Sequence, residues 1–113
     1  MEERGTYDYC WKAKRVAMIF RDLSKKYEYI RNNMVMSSYT HDSKLLKYQH
    51  QIWRINHVLK ELDPLESYLI TETFGQDGVI DGSWWKGIYT KSTYYRLRGN
   101  AITRFLEIYD ECA

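Results

Sequence analysis

Large or helix-compatible residues recur at Tyr9, Ala13, Val16, Phe20, Leu23, Tyr27, Ile30 and Met34. The spacings alternate between four and three, which keeps all eight on one stripe of a helix. Lys12, Lys14, Arg15, Arg21, Asp22, Lys25, Lys26 and Arg31 fall between them and suit a solvated face. Thr6 is a candidate N-cap, since its hydroxyl can accept an orphan amide of the first turn. The polar stretch from Ser37 to Ser43 interrupts the pattern, which resumes at Leu45, Tyr48, Ile52, Ile55, Leu59 and Leu62. Two heptad-spaced helices with a short polar link predict an antiparallel helical hairpin over residues 1–62.

Asp63-Pro64-Leu65-Glu66 marks a helix start: Asp63 caps, Pro64 fits the first position, and Glu66 can bond back to the cap amide. Leu65, Leu69 and Phe74 are the expected buried edge, and Gly75 the expected left-handed terminator. GQDGVIDG then reads as a loop. Ser83 is placed to cap a short helical segment from Trp84 to Tyr89, which Gly87 restricts to about one turn, costing ~1 kcal/mol against alanine. Thr90 is placed to cap a last helix with Tyr94, Leu97, Ala101, Ile102, Phe105 and Ile108 inside. Lys91, Tyr95, Arg96, Arg98 and Arg104 are expected outside it. The reading is all-α and a single domain over 1–113, a hairpin followed by a helix-turn-helix-like region at 63–110.

Composition agrees. The chain has 113 residues, 44% hydrophobic and 16% aromatic, too apolar for a disordered segment and long enough for one modest core. One proline and six glycines argue against an all-β domain built on tight turns. No apolar run approaches the ~20 residues that span a bilayer, and no secretory signal is expected at the start. Cys10 and Cys112 make no disulfide framework, so a reduced cytoplasm is the expected compartment.

Net charge is only +2, but it is unevenly spread. Residues 1–60 hold twelve bases against six acids. Residues 61–82 hold six acids and no base, and 83–104 hold five bases and no acid. Local field, rather than net charge, attracts polyanions. A helix entering the DNA major groove needs short polar residues at its N-terminus, bases along one side and an apolar opposite side. Thr90-Lys91-Ser92-Thr93-Tyr94-Tyr95-Arg96-Leu97-Arg98 meets each demand. A solvated basic face would carry the same residues.

The segments Leu62–Phe74 and Trp84–Leu106 resemble the helix-turn-helix of sigma-factor region 4. Ser92-Thr93-Tyr94-Tyr95-Arg96 matches its serine/threonine-rich opening, and Ala101 the alanine that follows. The aromatic form of the motif is more particularly similar to the ArpU-type late-gene transcriptional regulators of phages and integrated elements in low-GC Gram-positive bacteria. The resemblance covers about half the chain, Leu62 to Ile108. It implies DNA contact at Lys91, Ser92, Thr93, Tyr95, Arg96 and Arg98, with Tyr94 and Leu97 in the core. Double-stranded DNA is the implied partner, with RNA polymerase and a second copy of the chain as further candidates. A protein-interaction module or inhibitor of a host protein, without DNA binding, is the competing expectation. Its support is the near-zero net charge.

Other chemistry finds little footing. Fitting Asp77-Gly78-Val79-Ile80-Asp81 to a calcium loop puts Trp84 where a bidentate glutamate belongs, so no calcium is expected. His41, His50 and His57 lack metal-site spacing. No nucleophile elbow, Walker A or dinucleotide fingerprint occurs, so neither catalysis nor a cofactor is expected. Of the pair Trp84-Trp85, one is expected to plug the hairpin and the other to face a partner.

Overall fold

The computed structural model describes residues 11–34, 43–75, 78 and 83–112. Thr6, Tyr9, Cys10, His41, most of the polar link and most of the GQDGVIDG loop lie outside them. Among the described residues the protein is all-α, with four helices: α1 (Trp11–Met34), α2 (Ser43–Glu61), α3 (Pro64–Phe74) and α4 (Lys91–Glu111).

Helices α1 and α2 lie antiparallel. Tyr29 meets Tyr48 edge-on, with centroids 5.2 Å apart, near one end. Arg15 and Arg54 converge on the ring of Tyr109 near the other. The molecule is elongated, 55 Å by 24 Å by 24 Å, because the main core occupies only part of this pair. From α1 it takes Ala13, Val16, Ala17 and Phe20, and from α2 Ile55 and Val58. Leu62 just before α3, Leu69, Ile70 and Phe74 of α3, Trp85 in the turn before α4, and Tyr94, Ala101, Ile102, Phe105 and Leu106 of α4 complete it. Each large aliphatic or aromatic side chain removed from water contributes about 1.5–3 kcal/mol before entropy is set against it. The rest of α1 and α2 forms an arm outside that cluster.

The arm explains one departure from the periodic stripe. Tyr27 sits at a stripe position yet is exposed, while Leu23, Ile30 and Tyr48 are only half-buried. Two helices alone cannot cover a whole apolar stripe; the third and fourth helices that seal the body do not extend along the arm.

The start of α3 follows the sequence closely, with Pro64 in the first turn and the Asp63 amide donating to Glu66 Oε1 at 3.2 Å. Its buried face is Leu69, Ile70, Thr73 and Phe74, whereas Leu65, expected inside, is 44% exposed. Gly75 is right-handed rather than left-handed, at φ −69°, and its amide donates to the Thr71 carbonyl. The left-handed residue is Gly78, at φ +78°. A β-carbon on Gly78 would collide with the carbonyl oxygen of Ala17, so this glycine lets the loop touch α1.

Residues 83–90 form turns, not the short helix expected from Trp84 to Tyr89. Gly87 adopts φ +90°, which breaks any helical path, and Lys86 and Tyr89 form an isolated bridge. Both tryptophans are instead drawn onto Tyr94. Trp85 stacks on its ring at 4.7 Å and 11°, and Trp84 meets it edge-on at 5.7 Å. The helix-turn-helix expectation therefore lacks its middle helix in the described residues.

At the far end of α4, Arg54 Nε donates to the Tyr109 carbonyl at 2.8 Å, and Arg15 Nη1 donates to Asp110 Oδ2 at 3.0 Å. Two guanidinium groups thus meet the carbonyl-rich, negative end of the helix dipole. The hydrogen bond from Arg15 holds the Asp110 carboxyl below its ordinary value, against the opposing effect of burial.

Two stability predictions result. Gly78→Ala combines a positive φ with a backbone collision, so it should cost more than ~1 kcal/mol in urea unfolding. Asp110 has a depressed carboxyl, so its contribution is present above the unfolded range near ~4 and is lost as pH falls through its folded value. Its side chain is 53% exposed, so Asp110→Asn should cost no more than about 1 kcal/mol at pH 7. The difference between variant and wild type should shrink steadily in unfolding measured at successively lower pH below ~4.

Candidate nucleic-acid interface

The basic stretch identified in the sequence maps to the turn before α4 and to the helix itself. Thr90 is the N-cap: its Oγ1 accepts the Thr93 amide at 3.3 Å and its hydroxyl donates to Thr93 Oγ1 at 2.9 Å. Thr93 is half-buried and engaged in this cap, so its polar groups serve the helix start. Lys91 and Ser92 are exposed beside it, where first-turn amides and the helix dipole favour an anion.

Arg96 stands one turn beyond Ser92 and is exposed. Gly99 and Asn100, also exposed, follow on the same side, and a β-carbon on Gly99 would meet nothing within 4 Å. Thr103 continues the row and accepts from Lys12 Nζ of α1 at 3.4 Å. Positions 92, 96, 99, 100 and 103 are thus one stripe along three turns. It is polar and mostly exposed, with Lys91 at one end and Lys12 at the other.

Two predicted contacts are placed differently. Arg98 was expected outside, among the DNA-contacting residues, but it is 1% exposed. Its guanidinium carbon lies 5.1 Å from the Tyr95 centroid, 5.6 Å from Phe74 and 6.0 Å from Tyr94. The planar, weakly hydrated guanidinium can lie on aromatic faces, which makes an arginine admissible at a core position. Tyr95 is half-buried and packs against Trp85 and Tyr94 at 6.1 and 5.0 Å. It borders the core rather than standing free on the stripe. Arg104, also exposed, pairs with Glu66 at 3.5 Å.

Behind the stripe, Tyr94 is fully buried and its hydroxyl shares a 2.8 Å hydrogen bond with Thr73 Oγ1. Trp84 Nε1 donates to the same Thr73 oxygen at 3.1 Å. These contacts fix the rotation of α4 about its axis, and hence which residues face outward. Of the two tryptophans, Trp85 is buried and Trp84 half-buried.

Gly99, Asn100, Thr103 and Lys12 were not singled out from the sequence. The spacing from Ser92 was legible, but small neutral residues carry no charge signal, and Lys12 reaches the stripe only through tertiary packing. Among the described residues no group of three or more histidine, cysteine, aspartate or glutamate side chains could hold a metal ion. No described helix is long and apolar enough to cross a membrane.

Compared with known proteins, the chain matches no family model, no curated protein and no solved structure.

The two arginines should separate cleanly in unfolding experiments. Arg98→Ala removes a large side chain from among three rings and should cost ~2 kcal/mol or more. Arg96→Ala should leave stability within about 0.5 kcal/mol, as for other exposed sites.

Proposed function

We propose that the protein binds double-stranded DNA through the outer stripe of α4 and acts as a transcription regulator. The observation that carries this reading is the run Ser92, Arg96, Gly99, Asn100 and Thr103, aligned on one helix face with Lys91 and Lys12 at its ends. An arginine can take guanine O6 and N7, and an asparagine adenine N6 and N7, each by paired hydrogen bonds in the major groove. Gly99 supports a close approach, since it presents no side chain between those two. Lys91, the first-turn amides and Lys12 would hold phosphates on either side, setting register without reading sequence.

The contact set differs from that implied by the resemblance. Lys91, Ser92 and Arg96 remain in it, Asn100 joins it, and Arg98 supports the helix from inside. The link to sigma-like and phage regulators rests on residues 62–108 alone, and the turn at 83–90 weakens it. RNA polymerase or a second copy of the chain would meet another face.

A protein-interaction module is the second reading. Its support is the exposed pairs Trp11 and Met18 on α1, and Leu46 and Trp53 on α2, each one heptad apart.

Anisotropy of a labelled random-sequence duplex at two salt concentrations tests the first reading. Binding should weaken steeply with salt. Arg96→Ala should weaken it about tenfold or more, and Lys91→Ala should lower the salt slope by about one. Selection from a duplex pool should return a preferred base that Asn100→Ala no longer enforces. Absence of binding by the folded wild type at low salt would overturn the DNA reading in favour of a protein partner.

A further inference from the structure

The outer side of α2 carries a second seam, opposite the one that joins the core. Leu45, Ile52, Ile55 and Val58 are buried, while Leu46, His50, Trp53, His57 and Lys60 follow one another at spacings of four and three on the other side. Leu46 is 55% and Trp53 53% exposed, and His50 and Lys60 are exposed with them. His50, one turn before Trp53, and His57, one turn after it, both stack on the indole, at 5.7 Å and 19° and at 5.0 Å and 13°. Trp53 is thus held from both sides, and its outward edge is the crest of the seam. An indole already ordered in this way has little rotamer freedom left to lose on association.

The seam reads nearly alike from either end. Leu46 and Lys60 stand seven positions to either side of Trp53, and His50 and His57 stand three and four. On one flank Gln49 and Asn56 are four and three positions from it, and on the other Lys47 and Glu61 are six and eight. These four flanking residues are all exposed. An isologous contact requires that residue i meet j and that j meet i, which is the property this pattern has. Two α2 helices crossing antiparallel at Trp53 would set Trp53 against Trp53 and His50 against His57. The aliphatic stem of Lys60 would lie over Leu46 with its ammonium left in water. Gln49 and Asn56 would meet as amides able to exchange hydrogen bonds, and Lys47 and Glu61 as opposite charges. A parallel crossing would oppose Lys47 to Lys47 and Glu61 to Glu61. The inversion about one residue singles out a second copy of the chain, since an unrelated partner imposes no such symmetry.

We infer that the outer face of α2 is a homodimer contact, in which two copies pack α2 antiparallel about a two-fold axis at Trp53, with Lys47 of each copy paired to Glu61 of the other. The face shares no residue with the α4 stripe and does not depend on DNA binding there.

The test is sedimentation velocity of the full chain over a range of concentrations. A contact of about four helical turns belongs with small, transient interfaces, so a monomer–dimer equilibrium with a dissociation constant of roughly 1–100 µM is expected. Trp53→Glu should weaken it at least ~tenfold at unchanged helix content by circular dichroism, and Leu46→Gln about threefold or more. Trp11→Glu, at an exposed tryptophan on α1, should leave it unchanged. Lys47→Glu and Glu61→Lys should each weaken it about fivefold, and the two combined in one chain should restore it. Positions 47 and 61 are about four turns apart on one helix, so only a second copy can supply that rescue. A chain that stays monomeric up to ~500 µM would overturn the contact. A dimer indifferent to Trp53→Glu would place the second copy on another face, and charge variants that add without rescue would overturn the antiparallel register.

Discussion

The buried hydroxyl of Tyr94 is the constraint on which the C-terminal half depends. Its ring lies wholly inside, and a polar group so placed must find a partner or cost about 1–3 kcal/mol. Thr73 provides that partner, and Trp84 shares the same oxygen. One threonine thereby ties the end of α3, the intervening turn and the first turn of α4 together. Trp85, stacked flat on the same ring, closes the other side. The turn at 83–90 takes its shape from the need to deliver two indoles to one phenol, and Gly87 supplies the left-handed residue that allows it.

Once Tyr94 is fixed, so is the helix it belongs to. Positions 94, 98, 101, 102 and 105 must face inward, and 92, 96, 99, 100 and 103 must face out. The opposite end of α4 is held by Arg15 and Arg54, which come from different helices and meet its terminal carbonyl and carboxylate groups. A helix clamped at both ends presents its outer stripe rigidly. Such rigidity favours reading an extended partner, because little ordering remains to be done on binding. The arm is built differently. It lacks the third and fourth helices, and crossed lysine–tyrosine contacts help join its two strands of helix.

Much of the architecture was legible in local signals. The spacings of four and three gave helices, Asp63-Pro64-Leu65-Glu66 marked the start of α3, and Thr90 marked the start of α4. Each depends on chemistry within a few residues: a cap hydroxyl, a ring-locked φ, a carboxylate one turn on. The candidate stripe was half legible. Lys91, Ser92 and Arg96 stood out by charge and capping pattern, while Gly99 and Asn100 offered neither. Arg98 was misread because charge was taken to decide its side. At four residues beyond Tyr94 it lies on the core stripe, and three aromatic rings accept its guanidinium there.

The same contrast divides the whole molecule. The sequence by itself determined the all-α class, the helix starts and the uneven distribution of charge, because these follow from periodicity, capping and residue identity over one or two turns. Only the tertiary structure decided that Trp84-Trp85 forms a turn rather than a helix, that Arg98 is inside, and that Lys12 joins the α4 stripe. It also decided that Lys26 and Lys44 each reach a tyrosine of the facing helix. Each of these turns on which distant surface a side chain meets, and helical spacing gives the side of one helix without naming the neighbour that covers it.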